Sequence, residues 1–221
     1  MLTSLASLTL SALRKINIAV DFYSNQFSDE EIAFFKAVEP FTATSIYRVI
    51  CLRDAVLYLE ANKIKGALVE TGVWKGGSII TMLKTLLDCQ ATRQIFAYDT
   101  FSGSPKPDSW SAVSLAQAKA NIFGAAPSFP KDRVTFVEGR TEETLKTRVP
   151  TQIALLRLDT NFYSSTKAEL EALWPKLCRK GVLIIDDYGA IPEVKTAVDE
   201  FFGGQVMLGR IDNTGRLVIK T

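Results

Sequence analysis

From about residue 40 onward the chain alternates short apolar runs with helix-patterned segments, and no other feature narrows the fold as far. "GALVET" (66–71), "QIFAYD" (94–99), "RVTFVEG" (133–139), "IALLRLD" (153–159) and "GVLIIDD" (181–187) each read as a buried strand. The intervening "GSIITMLKTLL", "TEETLKTR" and "STKAELEALWPKL" carry helical spacing, as does "VKTAVDEFF" after the fifth run. Strands linked through helices form a parallel sheet covered on both faces. The tail breaks this rhythm. "QVMLGRIDNTGRLVIKT" (205–221) holds two β-like runs around "DNTG", which predicts a closing antiparallel hairpin and a mostly parallel, seven-stranded, Rossmann-like α/β sheet.

Two segments lie outside the alternation. Residues 1–63 are expected to form an N-terminal helical segment acting as a lid or dimerisation element, ahead of a core at 64–221. Within the core, 101–130 is an insertion rich in Pro, Ser and Gly with one helix-like stretch, "SLAQAKANI". A long insertion after a strand's carboxyl end suits a lid or substrate loop. The N-terminal "MLTSLASLTLSALRK" is apolar, but Arg14 and Lys15 follow the apolar region, whereas a signal peptide carries its charge before it. Leu2, Leu5, Leu10 and Leu13 instead share part of a helix face that can pack on the body or on a second copy, so a homodimer is expected. No stretch is long enough to span a bilayer, and the expected setting is cytoplasmic without a membrane partner.

Composition excludes several chemistries. The 221 residues, 47% hydrophobic and 23% charged, suit one domain with a sizeable core. A net charge of +2 without a Lys/Arg run argues against a nucleic-acid partner. Cys51, Cys89 and Cys178 are too dispersed for a zinc or disulfide framework. There is no histidine, which removes Ser-His-Asp and Cys-His catalysis and any His-ligated metal. A metal here needs oxygen ligands, as Mg²⁺ or Ca²⁺ do.

Ligands of open parallel sheets bind beyond the strands' carboxyl ends. The first strand delivers "VETGVWKGGS" there, with Glu70, Gly72, Val73 and Ser78; it lacks both the P-loop and the dinucleotide fingerprints. The second delivers Asp99, suited to ribose hydroxyls or to a helix N-cap. The third delivers Gly139 and Arg140, and the fourth Asp159. The fifth ends on Asp186 and Asp187, two like charges at the tip of a buried strand, which call for a positive neighbour. If the fourth and fifth strands are adjacent, three carboxylates converge as a hard cation requires; separate capping roles are the alternative.

Together "VETGVWKGGS", "YDTFSGSPKP", "LLRLDTNFYSSTKAELEALWPKL" and "GVLIIDDYG" resemble the macrocin O-methyltransferase (TylF/MycF) family, over about residues 44–202. The resemblance implies a class I methyltransferase fold, S-adenosylmethionine as cofactor, Mg²⁺, and a small-molecule acceptor carrying a sugar or phenolic hydroxyl. It places the cofactor at Thr44, Glu70, Gly72, Val73, Ser78, Asp99, Gly139, Arg140 and Asp159, and the metal at Asp159, Asp186 and Asp187. Thr44, Ser45 and Arg48 of "ATSIYR" match a segment that covers the cofactor. The catalytic positions implied are Asn161 and Asp187. Asn161 stands where the family has the aspartate proposed as general base, and Ala190 where many members carry His. An amide takes no proton at neutral pH, so Asp187, Tyr163 and Lys167 become the candidate acceptors or relays. The missing base implies an easily deprotonated acceptor, weakened activity, or a homologue that binds the cofactor without turnover.

Overall fold

The computed structural model describes residues 26–103 and 112–221. The expected Leu2–Leu13 helix and residues 104–111 of the 101–130 insertion lie outside these residues. The chain divides into two compact units, Met1–Ala37 and Val38–Thr221. The described part of the first is mostly helix α1 (Asp29–Val38). Its start is a capping box: the Ser28 hydroxyl accepts from the Glu31 amide, and the Glu31 carboxylate accepts from the Ser28 amide at 2.7 Å.

The second unit begins with α2 (Ile46–Ala61), capped by Ser45, whose hydroxyl accepts from the Arg48 amide at 3.3 Å. The alternation then follows as β1 (Ala67–Thr71), α3 (Gly77–Asp88), β2 (Ile95–Asp99), α4 (Leu115–Ala125), β3 (Val134–Glu138), α5 (Thr141–Thr144), β4 (Ile153–Leu158), α6 (Tyr163–Leu173), β5 (Leu177–Ile185), α7 (Pro192–Phe202), β6 (Gly209–Arg210) and β7 (Arg216–Ile219). The seven strands run in the order β3-β2-β1-β4-β5-β7-β6. Strands β1 to β5 are parallel to their neighbours, and β7 is antiparallel to both β5 and β6. The expected closing hairpin is therefore present, with β7 inserted between β5 and the two-residue edge strand β6.

Every residue of β1 and β4 is buried, and Leu68, Val69, Leu155, Leu156, Leu183 and Ile185 form the middle of the core. Burial of side chains of this size contributes about 1.5–3 kcal/mol each. Two elements differ from the sequence reading. "TEETLKTR" is helical only over Thr141–Thr144, a stretch soon followed by Pro150, which disfavours helical backbone at Val149. Strand β5 starts at Leu177, with a register shift against Ile153–Leu155. There Gly181 passes so close to β4 and to Cys178 that a Cβ would lie 2.8 Å from the Cys178 carbonyl oxygen.

Register dictates the site. Thr71 pairs with Leu158, and Leu158 with Ile185. The residues that follow, Gly72, Asp159 and Asp186, leave the sheet side by side. The Asp159 amide donates to the Thr71 carbonyl and the Asp186 amide to the Leu158 carbonyl, both at 2.9 Å. The winding reverses between β1 and β4, so these tips flank the switch point where such sheets bind ligands.

Candidate active site

A cleft of about 600 Å³ opens over these strand tips. That volume suits a small-molecule site. Its walls include Thr44, Glu70, Gly72, Val73, Ser78, Asp99, Gly139, Arg140, Asp159, Asn161, Asp186 and Asp187, so the expected cofactor and metal positions and Asn161 share one cavity. Tyr163 and Lys167 are not in its wall. Tyr163 donates to Glu200 on α7 at 2.6 Å, and the Lys167 ammonium lies 5.7 Å from the Tyr163 ring. Neither is placed to take a proton from a molecule in the cleft.

The glycine-rich turn after β1 brings protein backbones together. Gly72 has φ +81°, and a Cβ there would sit 2.1 Å from the Asp159 carbonyl oxygen. A Cβ on Gly77 would sit 2.7 Å from the Phe41 carbonyl oxygen. These glycines let β1, β4 and the segment before α2 close around the cleft. Asp99 holds the turn from the other side. One of its carboxylate oxygens accepts the Val73 and Trp74 amides at 2.7 and 2.9 Å, and the other accepts the Phe101 amide at 2.8 Å. A carboxylate has about four lone-pair directions, so little capacity remains at Asp99 for a ribose hydroxyl.

The acids at the tips of β4 and β5 converge. Asp159, Asp186 and Asp187 each present an oxygen, all within 4.8 Å of one another. The positive neighbours that their sequence called for are two arginines. Arg157 is buried in β4 beside Glu70 of β1, and its guanidinium reaches Glu70 at 2.8 Å, Asp159 at 2.7 Å, and Asp186. Arg48, from the first turn of α2, pairs with the other Asp186 oxygen, and its Nε lies 3.1 Å from Asp212 in the β6–β7 turn. Sequence reasoning matched Arg48 to the family but assigned it no partner, and it missed Arg157 and Asp212. The signal for Arg157 was a cation interrupting the apolar run "IALLRLD".

Burial raises the Asp186 carboxyl, with Arg157 pulling it down and Asp159 pushing it up. Asp187 is raised by burial and by Asp186. Among the described residues no basic group forms an ion pair with Asp187, so it is the uncommitted carboxylate of the three. Burial also pushes Glu70 up to about 8, since Arg157 is shared with two other acids. Asn161 Oδ1 lines the cleft as a buried acceptor without a hydrogen-bond partner.

This strand-tip cleft on a seven-stranded sheet agrees with the comparisons to known proteins. Residues 36–217 match the family model described as macrocin-O-methyltransferase (TylF). The chain belongs to this family. It is 33% identical over 196 residues, 79% of this chain and 73% of the relative, to 8-demethyl-8-(2,3-dimethoxy-alpha-L-rhamnosyl)-tetracenomycin-C 4'-O-methyltransferase of Streptomyces olivaceus. It is 32% identical, over 72% of this chain and 67% of the relative, to demethyldecarbamoylnovobiocin O-methyltransferase of Streptomyces niveus. Among solved structures, the O-methyltransferase NovP superposes with a TM-score of 0.76 at 32% identity, covering 82% of each chain. The calicheamicin methyltransferase CalS11, at 21% identity and a TM-score of 0.65, shares the fold. The macrocin-family chain is thus an O-methyltransferase with S-adenosylmethionine as methyl donor and a small-molecule acceptor. Among its described residues no helix is long and apolar enough to cross a membrane.

Proposed function

We propose that this enzyme transfers a methyl group to a hydroxyl of a sugar-bearing or phenolic natural product, with a divalent cation such as Mg²⁺ held by Asp159, Asp186 and Asp187. The observation that carries the reading is the convergence of three carboxylates in the same cleft as the Gly72 turn. The donor set fits a hard cation: it is all oxygen, in a chain without histidine. The local charge fits as well. Five acids (Glu70, Asp159, Asp186, Asp187 and Asp212) face two arginines (Arg48 and Arg157), so acids outnumber cations at the spot a divalent ion would occupy. The named substrates of the relatives, a rhamnosyl tetracenomycin and demethyldecarbamoylnovobiocin, support the acceptor class.

In this reading Glu70, Val73, Ser78 and Asp99 line the donor side, with Thr44, Gly139 and Arg140 at its rim. The donor's methyl already carries its activation, so the protein must align the acceptor oxygen and receive its proton. A cation in the carboxylate cluster supplies Lewis acidity that lowers the pKa of an acceptor hydroxyl. Asn161 offers a buried, unpartnered carbonyl oxygen that accepts a hydrogen bond from that hydroxyl and orients it. Asp187 receives the proton on the oxygen it does not give to the cation, being the one carboxylate of the three that no guanidinium holds. The segment 1–63 serves as the covering and dimerising part, and the protein acts as a cytoplasmic dimer.

The test is a methyl-release assay against a panel of glycosylated and phenolic acceptors, with and without chelator. Turnover that chelator abolishes and Mg²⁺ restores is expected. Turnover indifferent to chelator would remove the metal from the mechanism. Donor binding by calorimetry with no turnover on any acceptor would favour a cofactor-binding homologue, the reading that Asn161 motivates.

A further inference from the structure

We propose that Arg48 is a positioning residue that competes with the metal for Asp186, and that Asp212 is the seat onto which its guanidinium moves when a cation binds. This rests on the metal reading above.

The two arginines at the carboxylate cluster are not equivalent. Arg157 lies within the sheet, its side chain 3% exposed, tied to three acids on three strands. It has no other place to go. Arg48 lines the cleft and stands on a helix, with its stem 3.1–3.2 Å from where a Cβ on Gly215 would sit. Its Nη1 holds Asp186 Oδ2, while Arg157 holds Oδ1, so neither Asp186 oxygen is free of a guanidinium. A divalent cation between Asp159, Asp186 and Asp187 must therefore share Asp186 with Arg48 at close range, against like-charge repulsion.

An alternative seat is already built. Asp212 Oδ2 lies 3.1 Å from Arg48 Nε, yet that N–H makes no hydrogen bond. Asp212 itself is fixed by the Ser45 hydroxyl at 2.6 Å and by the Thr214 and Gly215 amides at 2.9 and 2.7 Å. A short rotation of the guanidinium completes the Asp212 pair and releases Asp186 Oδ2 to the cleft. Ser45 is the N-cap of α2, so the same contact keeps the start of that helix on the β6–β7 turn in either position.

The test is Mn²⁺ binding to the metal-stripped full chain at fixed ionic strength. Free Mn²⁺ is read by electron paramagnetic resonance, and thermal melts confirm that each variant folds. Arg48→Met is expected to tighten Mn²⁺ binding by about tenfold, because it clears Asp186 and removes a positive charge. Arg48→Gln, which keeps a neutral donor, should move in the same direction and serves if the Met variant does not fold. Asp212→Asn should weaken binding by several-fold in the parent, where it removes the guanidinium's second seat, and have little effect once Arg48 is Met. Unchanged or weaker binding in both Arg48 variants, with the parent still binding Mn²⁺, overturns the proposal and leaves the metal reading intact. An equal Asp212→Asn effect in both backgrounds likewise overturns it, by showing that Asp212 acts through its own charge. Absence of binding in the parent and in every Arg48 variant overturns the metal reading and this inference with it. Binding that appears only when Arg48 is removed supports both.

Discussion

Glu169 offers a measurement of how this fold treats a buried charge. It lies in α6 with no exposed surface, beneath the loop that carries Asp159 and Asn161. The Thr160 hydroxyl is 3.0 Å from each of its carboxylate oxygens. Burial pushes its carboxyl from 4.5 up to about 8, and the Thr160, Thr141 and Thr71 hydroxyls only partly offset this. The folded state thus holds a proton that the unfolded state gives up. For an acid raised in this way the stabilising contribution is complete below about pH 4.5 and is lost as pH climbs toward about 8. At 1.36 kcal/mol per unit, the interval sets a ceiling of about 5 kcal/mol, of which about 3 kcal/mol falls between pH 5 and pH 8. Glu169→Gln is neutral throughout and its amide oxygen still accepts from Thr160. Urea unfolding followed by circular dichroism at pH 5, 6, 7 and 8 should show the variant gaining on the parent by roughly 3 kcal/mol across that range. Parallel stability curves for the two proteins would refute the reasoning, since they would mean that Glu169 is ionised in the folded state at no cost.

Three further outcomes follow from the cleft. Gly72→Ala sets a Cβ 2.1 Å from the Asp159 carbonyl oxygen at a positive φ, and backbone there cannot give way. It should cost on the order of 3 kcal/mol in thermal stability and weaken donor binding by calorimetry; a native-like melt would show that the turn relaxes freely. Asp99→Asn replaces one accepting oxygen with an NH₂ group facing either the Phe101 amide or the paired Val73 and Trp74 amides. A loss of about 1–3 kcal/mol is expected, with weaker donor binding, and unchanged values for both would dismiss Asp99 as the clamp of the turn. Asn161→Asp should speed methylation of a neutral sugar hydroxyl by about 10²–10⁴-fold, as a positioned base does, and an unchanged rate would remove this position from proton transfer.

The strand tips were legible because an apolar run can only end where the chain leaves the sheet. The Asp159 and Asp186–Asp187 tips therefore had to lie at one rim once β4 and β5 were neighbours. The hairpin was legible from "DNTG", although β6 shrank to Gly209–Arg210, too short for a pattern to reveal. Arg157 escaped notice because a single charge barely lowers the hydrophobicity of a six-residue run in which its five companions are apolar. Its function depends on the register that sets it beside Glu70, and that is a property of two strands together. Arg48 and Asp212 were harder still. One lies on the first turn of a helix near the start of the unit, the other in a turn near its end, and no local periodicity links them. The turn glycines carried a clear signal with an incomplete explanation. Their freedom is used for protein backbone against protein backbone, at Asp159 and Phe41, as much as for any ligand.

The arginines change what the acidic rim means for folding. Three acids on adjacent strand ends would repel one another in a buried site, and a fold relying on a bound ion to hold them would form only with the ion. Arg157 removes that dependence. It sits one pleat inside the rim, where its guanidinium reaches acids from β1, β4 and β5 at once, so the sheet brings its charge compensation with it. Asp187 lies outside those ion pairs, one residue further along the chain and past the end of β5. The sheet therefore divides the work between neighbours in sequence. Asp186 is bound into the framework by two guanidinium groups, and Asp187 keeps its lone pairs for the cleft. Two adjacent aspartates at a strand's end are in this sense not duplicates: the first is neutralised so that the second can stay uncommitted.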